Sequence, residues 1–249
     1  MPRPPPHRNE WTLVTDSPTT PVEYRQTRFT LPSGGTHIFI VRHGESQPLR
    51  VDEPQPLVDG HGDPPLDPRG HEQAALVAAR LAQQPIAAIY VSTLQRTAQT
   101  AAPFAEATGL TPMVERDLRE LYLGEWEGGV YRIRREENHP DWQRVLTGRT
   151  WDVIPGAEQE VDFAKRLVGA INRISAQHPD ERVAIFTHGG VIGMISALAT
   201  GGRMHLLSES DNGSLTHLVV SGDQWQLRRF NDTSHLTPDL DLDLDLDLD

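Results

Sequence analysis

Three stretches of this 249-residue sequence place chemically useful side chains where apolar runs stop. In "IFIVRHGES" the run ends at Arg42-His43-Gly44-Glu45. In "IYVSTLQR" it ends at Ser92, with Arg96 four residues on. In "VAIFTHGG" it ends at Thr187-His188-Gly189-Gly190. A neutral imidazole near pH 7 can attack an electrophile. A guanidinium grips phosphate-type oxygens with a two-pronged fork. Glycines let backbone approach a ligand, and a helix that starts there turns unpaired N–H groups toward an anion. Any one of these residues has a plain structural explanation, and a lone histidine at a strand end is more often structural or solvated. Two histidines and two arginines at three strand ends point instead to a nucleophile in an anion pocket.

The elements that must hold them can be read from periodicity. Short apolar runs at 37–41, 86–92 and 182–187 read as buried strands. In 70–83, apolar residues at 74, 77, 78 and 81 share one helical face. A helix is expected from about 94 to 107, interrupted at Pro103, and another over "GVIGMISALAT" after the third strand. Phe163, Leu167, Ala170, Ile171 and Ile174 form one face of a helix over 160–177. "SLTHLVVSGDQWQLRRF" reads as an antiparallel hairpin turning at Gly222-Asp223. Alternating strands and helices predict an α/β fold, a three-layer sandwich with a mainly parallel central sheet flanked by helices. Ligands of such sheets sit beyond the carboxyl ends of the strands, which is where the three stretches end.

Residues 1–36 are expected to be an N-terminal extension, with "WTLV" and "RQTRFTL" as a hairpin. A catalytic domain is expected over 37–230, and a disordered acidic Asp-Leu tail over 231–249. The loop that follows the first strand, "QPLRVDEPQPLVDGHGDPPLDPRG", is long and rich in Pro, Gly and Asp, as binding loops and lids are. Formal net charge is −12, six units of which belong to the tail, so the body carries about −6 and gives no reason to expect nucleic acid as a partner. The absence of cysteine excludes disulfides, thiolate metal sites and a Cys nucleophile. No apolar run reaches the length of about 18 residues that reads as a membrane span, and the N-terminus lacks the apolar core of a secretory signal. A cytoplasmic location is expected.

Taken in order, "VRHGES", "DPPLDPRGHEQA", "IYVSTLQRTAQTA", "LRELYLGEWEG" and "FTHGG" resemble the motifs of the histidine phosphatase superfamily, the phosphoglycerate mutase-like proteins. "PGAEQEVDFAKR" is a looser match, and the likeness runs from about 37 to 220. The resemblance implies that His43 attacks phosphorus and becomes phosphohistidine. Arg42, Arg96 and His188, with Ser46 and the backbone at Gly189, would hold the phosphoryl group. Glu120, four residues before Gly124 as in the family, would protonate the leaving oxygen and then activate water. No metal and no cofactor is implied, and the implied partner is a small-molecule phosphate ester; the oligomeric state is not read from the sequence.

Other assignments stand beside these. Glu125 and Glu127 compete with Glu120, because "RDLRELYLGEWEG" holds four acids and loop carboxylates are usually solvated. His37, His61, His71 and His217 are read as structural or surface residues, and Arg132, Arg134 and Arg135 as a solvated helix face. A zinc site on His43 and His188 lacks a third ligand at suitable spacing. The family contains mutases as well as phosphatases. The mutase branch has Asn six residues after the nucleophile, where this sequence has Leu49, and Arg-His-Tyr after the acid, where it has Leu121-Tyr122-Leu123. A phosphomonoester phosphatase is therefore expected, with a mutase as the alternative and a non-catalytic binding protein as a further one. Asp52, Glu53, Asp59 and Asp63, against Arg50 alone, would disfavour polyanionic substrates if their loop covers the pocket. Leu49, Leu57, Val58, Trp126 and Trp142 would line an apolar side for a larger leaving group.

Overall fold

The computed structural model describes residues 24–50, 53 and 55–236. "WTLV" and the tail from residue 237 lie outside them. The chain divides into two units, 1–30 and 31–249, and every helix and strand described belongs to the second. Residues 24–35 contain no strand, so "RQTRFTL" does not form the second half of a hairpin. Its side chains are almost all exposed and bury too little to fix an isolated ladder.

The elements run β1 (Thr36–Arg42), β2 (Leu57–Val58), β3 (His61–Gly62), α1 (Pro68–Leu81), β4 (Ala88–Val91), α2 (Gln95–Thr108) and β5 (Met113–Val114). They continue with α3 (Val130–Glu136), α4 (Pro140–Gly148), α5 (Glu160–Gln177), β6 (Arg182–Thr187), α6 (Gly189–Thr200), β7 (Leu215–Ser221) and β8 (Gln224–Asp232). The main sheet has the order β5-β4-β6-β1-β7-β8. β5, β4, β6 and β1 are mutually parallel, and β7 and β8 form an antiparallel hairpin beside β1.

β1 explains why its sequence is uniformly apolar. Ile38 and Ile40 pack with α5 and α6 on one face, while Phe39 and Val41 pack with α1 and α2 on the other. A parallel strand covered on both sides cannot alternate apolar with polar residues. The four periodic positions of α1, Ala74, Val77, Ala78 and Leu81, are all buried. That helix starts where Asp67 accepts the Arg69 N–H at 3.0 Å, with Pro68 in the first turn.

Two expectations change. Pro103 does not interrupt α2, which runs unbroken to a left-handed Gly109. Proline removes one intrahelical bond, and the burial of Ala101 and Phe104 against the sheet holds the helix across the gap. β8 extends to Asp232, and a turn over 234–236 follows in which His235 Nε2 lies 3.0 Å from the Gly213 carbonyl, so ordered structure passes the boundary expected at 231. A third apolar cluster, Trp126, Trp142, Val145 and Ile154, lies around α3 and α4.

The parallel order brings the chemistry together. β1 and β6 are neighbours with Arg42 paired to Thr187, and β4 flanks β6 on its other side. Their carboxyl ends therefore open onto one edge of the sheet.

Candidate active site

At that edge the His43 N–H bonds the Thr187 carbonyl at 2.9 Å, which sets His43 beside His188. The two rings meet edge-on with centroids 5.3 Å apart. Asn212 donates to the His43 carbonyl at 2.9 Å, and the Gly213 N–H donates to the Arg42 carbonyl at 3.0 Å, so the loop before β7 fixes the strand end. Thr100 of α2 accepts the Gly44 N–H at 3.0 Å and Gln73 of α1 accepts the Glu45 N–H at 2.8 Å. Gly44 and Gly70 pass so closely that a Cβ on either would strike the other segment's backbone. The glycine is needed for packing the nucleophile loop against α1.

His43 Nδ1 lies 2.7 Å from the Gly44 carbonyl, which can only accept a proton, so Nδ1 carries the hydrogen and Nε2 the lone pair. Burial, followed by the charges of Arg96 and Arg42, holds the His43 pKa well below its ordinary value of 6.5. The ring is therefore neutral at physiological pH, the form that can attack. His188 is fully buried and lowered in the same way, first by burial and then by Arg96 and His43. Its Nε2 sits 2.8 Å from Ser92 Oγ, and its Nδ1 is buried with no partner in the structure. His188 is not among the residues that line the cleft, and it stands behind His43 as its ring neighbour.

Arg96, in the first turn of α2, donates to the Gly62 carbonyl at 2.9 Å and lies 3.8 Å from Asp63. Burial lowers its pKa to about 10, opposed by Glu120 and Asp63, so it stays a cation. Arg42 donates from Nη1 to the Ser210 carbonyl, while its buried Nε has no partner. Glu120 reaches the start of α6: Oε2 accepts the Gly190 N–H at 3.1 Å and Oε1 the Leu121 N–H at 2.8 Å. A Cβ at Gly190 would collide with that carboxylate, so a larger residue there would push Glu120 from its present place. Arg42, His43, Ser46, Arg96, Glu120 and Gly189 all line one cleft of 960 Å³.

Of the competing acids, Glu125 is exposed and does not line the cleft. Glu127 does, and like Glu120 it accepts two backbone N–H bonds, from Gly62 at 2.8 Å and Leu123 at 2.9 Å, so hydrogen bonding does not separate these two acids. Ser46 lies in the cleft with its hydroxyl bonded to Arg132 at 2.8 Å, so it holds a cation in place. Arg132 is thus not part of a solvated helix face. Arg134 is half-buried over Trp126, and Arg135 is the exposed member of the three. His61 is buried in the cleft wall beside Tyr122 rather than on the surface. His37 and His217 pair across β1 and β7 at 2.9 Å, and His71 is exposed.

The apolar side differs from expectation. Trp126 and Trp142 line the cleft, joined by Tyr131 and Trp151. Leu57 and Val58 are exposed on β2, and Leu49 packs over Gly129. The acids of the loop are engaged elsewhere: Asp59 pairs with Arg116 at 2.9 Å, and Asp63 accepts the Gln95 N–H at 2.8 Å. Glu53 lies 3.4 Å from Arg50, and Asp52 lies outside the described residues.

Arg166 of α5 gave no signal in sequence. It donates to the carbonyls of Asp117, Arg119 and Glu120 at 2.6 to 2.9 Å and grips Glu158 with two bonds. It thereby pins the segment that presents Glu120. Its donors all go to residues more than seven positions away, which no periodicity reveals. Among the described residues no group of three or more His, Asp or Glu is placed to hold a metal ion.

The family model of the histidine phosphatase superfamily (branch 1) matches residues 38–233. Phosphoglycerate mutase-like protein 4 of Arabidopsis thaliana is 32% identical over 202 residues, 80% of this chain and 86% of that protein. The metal-independent phosphoserine phosphatase of the same plant is 28% identical, over 81% of this chain and 84% of that protein. The native structure of a mycobacterial glucosyl-3-phosphoglycerate phosphatase superposes with a TM-score of 0.65 at 27% identity, covering 80% of this chain and all of that one. With two strand-end histidines and two arginines on a matching sheet, the chain belongs to the histidine phosphatase superfamily.

Proposed function

We propose that this protein is a phosphomonoester hydrolase that works through a phosphohistidine at His43. One observation carries the reading most: a neutral imidazole, its lone pair on Nε2, stands among Arg42, Arg96 and His188, with Glu120 at the start of α6. Phosphoryl transfer asks a protein chiefly for positioning and for stabilising the charge of the transferring group. Two desolvated guanidiniums supply that charge.

In the first step Nε2 bonds to phosphorus, the ester P–O bond breaks, and Glu120 gives its proton to the leaving oxygen. In the second, the Glu120 carboxylate takes a proton from water, the hydroxide attacks phosphorus, and the P–N bond breaks, restoring neutral His43 and free phosphate. Every proton is returned within the cycle. The cleft is large for a phosphate alone and suits a leaving group of metabolite size. The names of relatives, phosphoserine phosphatase and glucosyl-3-phosphoglycerate phosphatase, support a phosphorylated metabolite as substrate.

A phosphate-release screen over sugar phosphates, nucleotides, phosphoglycerates and phosphoamino acids tests this reading. Turnover of at least one class is expected, unchanged after EDTA treatment. Loss of activity in EDTA that zinc or magnesium restores would overturn the metal-free mechanism. Rapid formation of 2-phosphoglycerate from 3-phosphoglycerate with catalytic 2,3-bisphosphoglycerate would make the protein a mutase instead.

A further inference from the structure

A second cavity, of 520 Å³, shares one residue with the catalytic cleft, Met204. Its volume is within the range of small-molecule sites. The walls come from the end of α4 with the two residues after it, from Glu160 at the start of α5, from α6, and from the return segment 201–205. Met194 and Ala197 of α6 form a buried apolar floor together with Met204, and Leu198 beside them is 40% exposed.

Two cations face this floor, Arg149 and Arg203. Among the described residues neither side chain has a hydrogen-bond or ion-pair partner. Arg149 follows the last residue of α4 and holds the left-handed conformation, with φ 53 and ψ 38. α2 and α6 end in the same conformation, and each places a glycine there, Gly109 and Gly201. A side chain is disfavoured at such a position, yet α4 keeps one, and it is a guanidinium on the cavity wall. Glu160 is the opposing carboxylate, and its Oε1 accepts the Trp151 N–H at 3.1 Å. With histidine counted neutral, the wall is left with one net positive charge. One net cation above an apolar floor suits a monoanion with an aliphatic body, a carboxylate rather than a phosphate dianion. Guanidinium edges match the two oxygens of such a headgroup.

The cavity also borders the catalytic groups. The Met204 methyl and the Glu120 carboxylate crowd the same side of Gly190. Further along the same segment the Ser210 carbonyl accepts Arg42 Nη1, and Asn212 donates to the His43 carbonyl at 2.9 Å. We propose that this cavity is an effector site for an aliphatic carboxylate. The headgroup lies between Arg149 and Arg203 and the chain lies on α6. Occupancy acts on the active site through Met204 and the segment 203–212.

The methionines report the site. Met194 lines the second cavity alone, Met204 lines both cavities, and Met113 of β5 lines neither. The full chain carrying carbon-13 methionine methyls is titrated with octanoate, the signals being assigned by leucine replacement. Octanoate should shift Met194 and Met204 and leave Met113 in place. With Arg149→Gly and Arg203→Gln together, the midpoint should rise about tenfold, the scale of a charge-assisted hydrogen bond. Glycine suits the left-handed position, so the variant keeps the fold. Inorganic phosphate and 1-octanol each carry only part of the chemistry of octanoate and should move Met194 far less. A Met194 signal that does not move, an unchanged midpoint in the double variant, or an equal response to inorganic phosphate overturns the site. A shift of Met204 alone puts octanoate in the catalytic cleft and overturns it as well. The effector role rests on the hydrolase reading. Octanoate should change kcat/KM for p-nitrophenyl phosphate about fivefold or more, the low end of coupling between sites, and much less in the double variant. The same change in both proteins, or none in either, overturns that role. Without any turnover the hydrolase reading and the effector role fail together, while the Met194 titration still decides the site.

Discussion

Replacing His43 with alanine is expected to lower phosphate release by about 10⁴-fold or more, the scale on which loss of a nucleophile acts. His43 is the cleft imidazole that stands between the two arginines with its lone pair on Nε2. His188 is buried behind Ser92 with Nε2 engaged, and the sequence has no cysteine. The variant should remain folded. His43 lies at the end of β1 and not within its core face, and the side chain makes one hydrogen bond, to the adjacent residue's carbonyl. Its removal also relieves the cost of burying an imidazole among two arginines. The thermal transition should therefore shift by no more than a stability change of about 1–2 kcal/mol, small for a buried position. Phosphate esters should still bind, because Arg42 and Arg96 are untouched. A variant that keeps a tenth of wild-type turnover would exclude His43 as the nucleophile.

Glu120→Gln should separate substrates by leaving group. The amide keeps the size of the side chain but neither gives nor accepts the catalytic proton. An alkyl leaving group needs that proton as the ester bond breaks, while the p-nitrophenolate of p-nitrophenyl phosphate leaves without it. Phosphorylation of His43 should fall by roughly 10²–10⁴-fold for the alkyl ester, the usual contribution of general acid catalysis, and far less for the aryl ester. Single-turnover kinetics isolate this step from hydrolysis of the intermediate. Equal losses on both substrates would remove Glu120 from the role of acid. Glu127 would be examined next, since it lines the cleft and Glu125 does not.

The legible parts of this structure are those in which local sequence and global position carry the same information. β1, β4 and β6 are covered on both faces, so they read as unbroken apolar runs that stop at the ligand edge. α1 and α5 show their buried faces at helical spacing. The two histidines and two arginines follow from those strand ends. Arg132 was misread because its helix is short and buries none of its own residues, so periodicity gives no inward face. Its orientation is set by Ser46 and Gln47, more than eighty positions away. Arg166 escaped for a similar reason, being an arginine on an amphipathic helix whose partners come from the loop over 117–120 and from Glu158. Two carboxylates of the acidic loop also have partners that local sequence does not show: Asp59 lies against Arg116 and Arg119, and Asp63 lies against Arg96 and accepts the Gln95 N–H at the start of α2.

The central claim is the covalent phosphohistidine, and the stereochemistry at phosphorus tests it most directly. The substrate would be a phosphorothioate ester made chiral by oxygen isotopes and hydrolysed in isotopically labelled water. Attack by His43 followed by attack of water inverts phosphorus twice, so the product should show net retention of configuration. Net inversion would mean that water attacks the ester in one step, and would contradict the account.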